Sequence, residues 1–351
     1  MNRTIWALFI FLLWLAFVLC SAAAVAQKTY FQDGENRLEA VYLLPSHPED
    51  HKGIVLFVHG DGPLDYEAAG YYPLIWDILR KQGFAIFSWS KPGVGGSSGQ
   101  WLDQSMLDRQ TEVKAAIKFV RSRYQYSGEQ TGLLGFSQAG WVVPAVAQGN
   151  PEVGFVIGIG FAMDWQTQSW YLTKTRLAAE GKTSAEIEQS YAEHIEGIIR
   201  LKQNIGYERY SNDYRKAPDR MSEARFAFVK RNLSANASND YKNLSQPILI
   251  LLGEHDLNVD INATKGSLAS IFRYRNNAQV TIIPKASHGL LKAEVFRQQV
   301  PGILFWLKLM WAGESALAVG FPPVLNTWIA QLETIQHVKN KYSCDPVSYL
   351  Q

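Results

Sequence analysis

The sequence predicts an α/β fold in which a mostly parallel central sheet with flanking helices is interrupted by a helical insertion. Three observations predict it. Short apolar runs alternate with longer segments of helical period from Lys28 onward. Between Met163 and Asn243 the alternation stops, and charged and aromatic residues recur at helical spacing. The strand pattern resumes at Pro247, and residues suited to nucleophilic chemistry fall just after strands on both sides of the interruption.

The first residues read as an address. Arg3 precedes an uncharged apolar stretch, which gives way to Ser21-Ala22-Ala23-Ala24-Val25-Ala26. A basic start, an apolar middle and an Ala-x-Ala end predict a signal peptide over 1–26, cut after Ala26, and an exported protein, periplasmic or secreted. The charge-free run from Thr4 to Gln27 is also long enough to span a bilayer, so an uncleaved membrane anchor is the alternative. Lipid attachment at Cys20 is disfavoured by bulky Leu19 before it. With only Cys20 and Cys344, cysteine supplies neither a disulfide framework nor a four-cysteine zinc site.

The rest follows in order. Strands are expected at 38–44 and 54–58, a helix at 72–82, a strand at 84–89 and a helix at 106–123 with Val113, Ala116, Ile117 and Val120 on one face. The unit repeats as a strand at 131–136, a helix at 138–148 and a strand at 153–159. The core is therefore expected over 27–162 and 244–312, with 163–243 as a helical insertion. In that insertion Thr183 and Glu186 form a capping box before Ile187, Tyr191, Ile195 and Ile198. Strands at 247–252 and 280–283 and a helix at about 290–311 complete the core, and 313–351 reads as a C-terminal helical extension.

The 351 residues are 47% hydrophobic and 19% charged, enough to bury a sizeable core and unlike a disordered chain. Thirty-four Lys and Arg against thirty-two Asp and Glu leave +2, too little for nucleic-acid binding. Removing Arg3 with the leader lowers +2 to about +1. Electrostatic attachment to an anionic membrane should then be weak, and no stable membrane partner is expected if the leader is cleaved.

Ser137 carries the strongest chemical signal. Gly135-Phe136-Ser137-Gln138-Ala139-Gly140 lies between an apolar strand and a helix. A serine on such a sharp turn projects at the strand's carboxyl end and tolerates only small neighbours two positions away, met here by Gly135 and Ala139. A serine N-cap in an ordinary turn is the alternative. A serine hydroxyl needs a base held by an acid. Of seven histidines, His47 and His51 lie in a polar turn, His194 in the insertion, His337 near the tail, and His59 and His255 in other motifs. His288, just past the strand ending near Pro284, remains as base. For the acid, Asp256 in Gly253-Glu254-His255-Asp256 directly follows a strand, with Asp260 as fallback. A metal reading of Glu254-His255-Asp256 is weaker still, because adjacent residues in an extended loop point apart and no second ligand cluster is evident.

Val58-His59-Gly60-Asp61-Gly62-Pro63 follows the strand at 54–58 and supplies the place for an oxyanion, with the backbone N–H groups of Asp61 and Gln138 as the two donors. An acidic side chain there either caps the Gly62-Pro63 turn, the favoured reading, or selects a cationic substrate. The glycine-rich run Pro92 to Gly99 lacks the ending of a phosphate-binding loop and reads as a tight turn beside the site's mouth.

On these residues the chain resembles the α/β-hydrolase superfamily, in its esterase and serine-aminopeptidase-like branch with a helical cap. The marks are His59-Gly60-Asp61-Gly62-Pro63, Gln82-Gly83-Phe84, Gly93-Val94-Gly95-Gly96-Ser97 and the turn at Ser137, in the order nucleophile, acid, base. Ser90 departs, since that branch usually has aspartate there. The resemblance implies an eight-stranded sheet flanked by helices, with the insertion as a cap over the site. The activity expected is a serine hydrolase cleaving carboxylic esters through an acyl-enzyme on a small-molecule ester-type substrate. A peptidase or thioesterase with the same triad is the alternative, as is an acyltransferase or a non-catalytic ligand-binding member. No cofactor and no metal are called for. The cap aromatics Trp165, Trp170, Tyr171, Tyr191, Tyr207, Tyr210 and Tyr214 either pack internally or line an acyl or aryl pocket.

Overall fold

The computed structural model describes residues 26–215 and 220–343. The signal peptide expected over 1–26, all but its last residue, and Cys20 and Cys344 lie outside the described residues.

Eight strands form one sheet. They are β1 (Gln27–Asp33), β2 (Asn36–Leu43), β3 (Gly53–Val58), β4 (Phe84–Trp89), β5 (Thr131–Phe136), β6 (Phe155–Ile159), β7 (Ile248–Gly253) and β8 (Ala278–Ile283), in the order β1-β2-β4-β3-β5-β6-β7-β8. β2 is antiparallel to both neighbours, β1 and β4, and every other pairing is parallel. All residues of β3, β4, β5, β6 and β7 are buried, which is why they read as continuous apolar runs rather than alternating ones.

Two helical layers cover the faces. Ile54, Leu56 and Val58 of β3 pack with Val113, Ala116, Ile117 and Val120 of α2 (Met106–Tyr124). On the opposite face Val55 and Phe57 pack with α1 (Pro73–Lys81) and with Leu325, Trp328, Ile329 and Leu332 of α11 (Phe321–Ser343). After the turn at Ser137, α3 (Val143–Ala147) is a single short helix preceded by a 3-10 segment, Ser137–Trp141, so the helix expected over 138–148 is two pieces. Between β6 and β7 stand α4 (Trp165–Ala179), α5 (Ser184–Lys202), α6 (Tyr207–Asp213), α7 (Glu223–Asn232) and α8 (Ser238–Asn243). The Thr183–Glu186 capping box starts α5.

Three elements differ from expectation. β1 has one buried residue, Phe31, and its polar sequence hides the strand; Gly34 at φ 56° turns the chain back into β2. α9 (Ile261–Ile271) was not foreseen. The helix expected over 290–311 is confined to α10 (Ile303–Ala312), because Leu290 takes φ 57° and Pro301-Gly302 interrupts the apolar run. Isolated bridges Ala286–Lys292 and Leu291–Leu317 hold the intervening segment instead.

Candidate functional site

Register alone assembles the site at the carboxyl edge of the sheet. Val58 opposes Gly135, Phe136 opposes Ile159, and Gly253 opposes Ile283. The loops leaving β3, β5 and β6 therefore emerge side by side, as do those leaving β7 and β8.

Ser137 sits at φ 48°, a conformation non-glycine residues rarely adopt. The turn is held by close packing. A Cβ on Gly135 would lie 2.9 Å from the Ala139 methyl and from the Phe161 ring, and one on Gly140 would lie 2.9 Å from Phe161. Ala139 thus fills the second small position as expected, and Gly140 proves equally constrained.

Asp256 accepts a 2.7 Å hydrogen bond at Oδ2 from Nδ1 of His288. Its other oxygen accepts the backbone N–H groups of Asn258 and Val259, at 2.7 and 2.9 Å, and its side chain is fully buried. A carboxylate so held fixes the imidazole with Nδ1 protonated and Nε2 free to accept a proton. Asp260, the fallback, is occupied elsewhere: its Oδ1 caps α9 by accepting from the N–H groups of Asn262 and Ala263. Glu254 accepts from the Lys285 N–H at 2.8 Å, and among the described residues no group of three His, Cys, Asp or Glu is placed to share a metal ion.

One residue missed in the sequence seats the histidine. Gly160 leaves β6 at φ 63°, and a Cβ there would lie 2.6 Å from Cε1 and 2.8 Å from Nδ1 of His288. Its only sequence signal is a glycine immediately after a strand.

The loop after β3 passes over Ser137: a Cβ on Gly60 would lie 3.4 Å from that of Ser137. Two buried basic side chains hold this loop, and neither was foreseen. Lys91 Nζ donates to the Gly60 carbonyl at 2.6 Å, and Arg109 donates to the His59 carbonyl and, at 2.8 Å, to Oε1 of Gln138. Drawing those carbonyls inward turns the following N–H groups outward, the orientation expected of oxyanion donors. Burial pushes the Lys91 ammonium well below its ordinary range, and the nearby Arg109 charge adds to this while Asp61 and Glu112 oppose it. His59 is buried too, bonded through Nε2 to the Trp89 carbonyl and through Nδ1 to the Tyr72 hydroxyl at 3.1 Å. Burial, helped by Lys91, pushes its imidazole down to about 3.

The Asp61 side chain corrects the sequence reading. Its carboxylate is engaged by Arg225 of α7, at 2.6 and 2.9 Å, and Gln138 Nε2 lies 3.4 Å away, with the Gly62 N–H only a lesser partner. Burial works against its ionised form, but Arg225 and Lys91 outweigh it and hold the carboxyl below its ordinary value. Its charge is therefore met by the chain's own arginine. The glycine-rich run 92–99 is a tight turn, but it packs on β2, where Glu39 accepts the Gly96 N–H at 2.9 Å, and none of it lines the cavity.

A cavity of about 900 Å³ opens over Ser137 and His288. Its walls include Trp165, Leu172, Arg225 and Val229 of the inserted helices and Phe305 and Trp306 of α10. Most other cap aromatics pack internally: Trp170 lies 4.8 Å from Tyr191, and Tyr210 lies 4.8 Å from Tyr214 and 4.9 Å from Phe226. Tyr171 donates to the Asp256 carbonyl at 3.1 Å.

Known proteins share this fold. The chain is similar in structure to an esterase of Pyrococcus furiosus, with 12% identity and a TM-score of 0.54 over 88% of this chain and 92% of that one. It is likewise similar to a proline iminopeptidase of Mycobacterium smegmatis, with 14% identity and a TM-score of 0.54 over 88% of this chain and all of that one. A Butyrivibrio proteoclasticus protein solved with ferulic acid bound has 14% identity and a TM-score of 0.50, over 82% and 96% of the two chains. At such identities these likenesses establish the fold. No curated protein matches the sequence. Residues 49–294 match the family described as serine aminopeptidase, S33, which spans the strained serine, the aspartate–histidine pair and the loop between β3 and α1. The chain is thus an α/β-hydrolase, a hydrolase belonging to the serine aminopeptidase S33 family.

Proposed function

We propose that the protein is an exported serine hydrolase that cleaves carboxylic esters through an acyl-enzyme. The observation that carries this is the 2.7 Å hydrogen bond by which buried Asp256 holds His288, which lines the same cavity as the strained Ser137. In this mechanism His288 Nε2 takes the Ser137 proton as Oγ attacks the ester carbonyl, and Asp256 stabilises the imidazolium. The oxyanion is met by the backbone N–H groups of Asp61 and Gln138. Collapse expels the alcohol, which takes the proton from His288, and water then repeats the sequence to release the acid and free Ser137. The insertion at 163–243 acts as a cap that supplies one wall of the acyl pocket.

An ester is favoured over a peptide with a free amino terminus by the charges in the cavity. Holding an ammonium group calls for an unspent carboxylate, and Asp61, the one acidic residue in the cavity lining, is engaged by Arg225. Walls of Trp141, Trp165, Leu172 and Phe296 suit an apolar acyl or aryl group.

A fluorophosphonate probe should label Ser137 in the wild type and leave Ser137→Ala unlabelled. That variant should lose ester hydrolysis by about a million-fold, as in comparable triads, while keeping its melting temperature within a few degrees. Folded Ser137→Ala with near-normal activity would refute the mechanism. On a panel of nitrophenyl esters, aminoacyl anilides and acyl-CoA thioesters, faster turnover of the anilides would replace the ester reading with the peptidase one.

A further inference from the structure

Helix α10 has the sequence ILFWLKLMWA, in which Lys308 is the one polar side chain. A helix apolar on every face belongs in a core or in lipid. Only one side of α10 is accounted for by the fold: Leu309 is buried, and Phe305 and Trp306 line the cavity. The other side is open to solvent. Leu304 is 68% exposed, Met310 75% and Trp311 92%, and Ile303, Leu307 and nearby Val300 are exposed with them. Large apolar side chains grouped in this way mark an interaction surface.

We infer that this face seats the protein on an anionic lipid surface. Charge selects lipid. From Val295 to Gly313 the charged residues are Arg297 and Lys308, both basic and exposed; of the two flanking acids, Glu314 is engaged by Lys81 at 3.0 Å and Glu294 is exposed. Lys308 can extend from within the apolar face to reach headgroup phosphates while its stem stays in the apolar layer. A two-fold dimer through the same face would bring these like charges toward their copies. Length sets the mode. Ten residues at about 1.5 Å each span about half of a bilayer's hydrocarbon core, so α10 would lie in the interface plane. Among the described residues no helix is long and apolar enough to cross a membrane.

Continuity with the cavity gives the seating a consequence. Val300 belongs both to the exposed apolar face and to the cavity lining, and Phe305 and Trp306 of the same helix line the cavity too, so the exposed face adjoins the cavity that holds Ser137. Resting on the ester reading, this directs the cavity toward amphiphilic esters dissolved in the bilayer. The seating departs from the weak membrane attachment expected from net charge, because buried apolar area supplies the binding and two cations only bias it toward anionic lipid.

The test uses the full chain and vesicles of equimolar phosphatidylglycerol and phosphatidylcholine, with bromine on the acyl chains of the lipid. Tryptophan emission is compared between wild type and Trp311→Phe, so that the difference isolates Trp311, and the bromine should quench that difference. Leu304→Ser with Leu307→Ser should weaken vesicle partitioning about a hundredfold, tenfold for each side chain. These side chains are exposed and outside the cavity lining, so fold and turnover of a soluble ester should not change. If the double variant misfolds, the Trp311 quenching decides alone. Unquenched Trp311 on bound protein would overturn the inference, because another segment would then be the anchor. Partitioning unchanged in the folded double variant would overturn it too, as would concentration-dependent dimers that the same substitutions abolish while Trp311 stays unquenched. Wild-type protein with Trp311 quenched but no turnover of any ester would leave the seating standing and count against the ester reading alone.

Discussion

Gly160 shows how a site can rest on a residue that performs no chemistry. An alanine there meets the His288 ring at 2.6 Å and must also hold φ 63°. The ring has to move, and displacing a base by about 1 Å lowers turnover about a hundredfold. Gly160→Ala should therefore reduce kcat/KM by about that factor with little loss of melting temperature; wild-type kcat/KM would show that the loop absorbs the methyl. His59 gives a residue-level pH prediction. Its folded imidazole is neutral down to about pH 3, whereas the unfolded one protonates near its ordinary 6.5. Between those values the unfolded state binds more protons, so stability rises with pH and is lost on acidification through that window, by about 1.4 kcal/mol per pH unit where the difference is one full proton. Urea unfolding of His59→Gln across this range should have a slope shallower by that amount, and equal slopes would remove His59 as the source. At this scale the placement of Ser137, Asp256 and His288 at the sheet's carboxyl edge was legible because each follows an apolar strand in the sequence. Lys91, Arg109 and Gly160 were not, since a buried basic side chain or a glycine after a strand has no distinctive spacing.

Elements were legible in proportion to how completely they are buried. β3 to β7 announce themselves as apolar runs, whereas β1 lies at the sheet edge with polar residues and only a Gly34 turn to mark it. α9 was hidden by its cap, because Asp260 also suited the role of catalytic acid. The link between α7 and the loop after β3 was illegible for another reason: Asp61 and Arg225 are 164 residues apart, and no local pattern connects them. Their side chains are 41% and 32% exposed, so the pair adds modestly to stability, and its effect should fall on turnover instead. Arg225→Ala would leave an uncompensated carboxylate beside the forming oxyanion and should lower kcat about tenfold. Adding Asp61→Asn should restore most of that loss, since the opposing charge goes with it. A double variant as impaired as the single one would show that Arg225 acts by shaping the cavity wall.

At the scale of the whole molecule, the sheet begins where the expected signal peptide ends. The Ala24-Val25-Ala26 motif predicts a cut before Gln27, and Gln27 is the first residue of β1, paired with Tyr42 of β2. Cleavage there would remove the apolar run without cutting into the sheet. Cleavage a few residues later would strip the start of the edge strand and expose β2 beside it, which gives the fold its own reason to favour this position. The exported chain is therefore expected to begin at Gln27, with a net charge of about +1 after Arg3 is lost from +2. Intact mass of the protein recovered from an exporting host measures this directly. A mass that retains residues 1–26, in protein that pellets with membranes and resists extraction by salt, would make the leader an anchor. Chain beginning at Gln27 that still floats with anionic vesicles would leave α10, and not the leader, as the attachment.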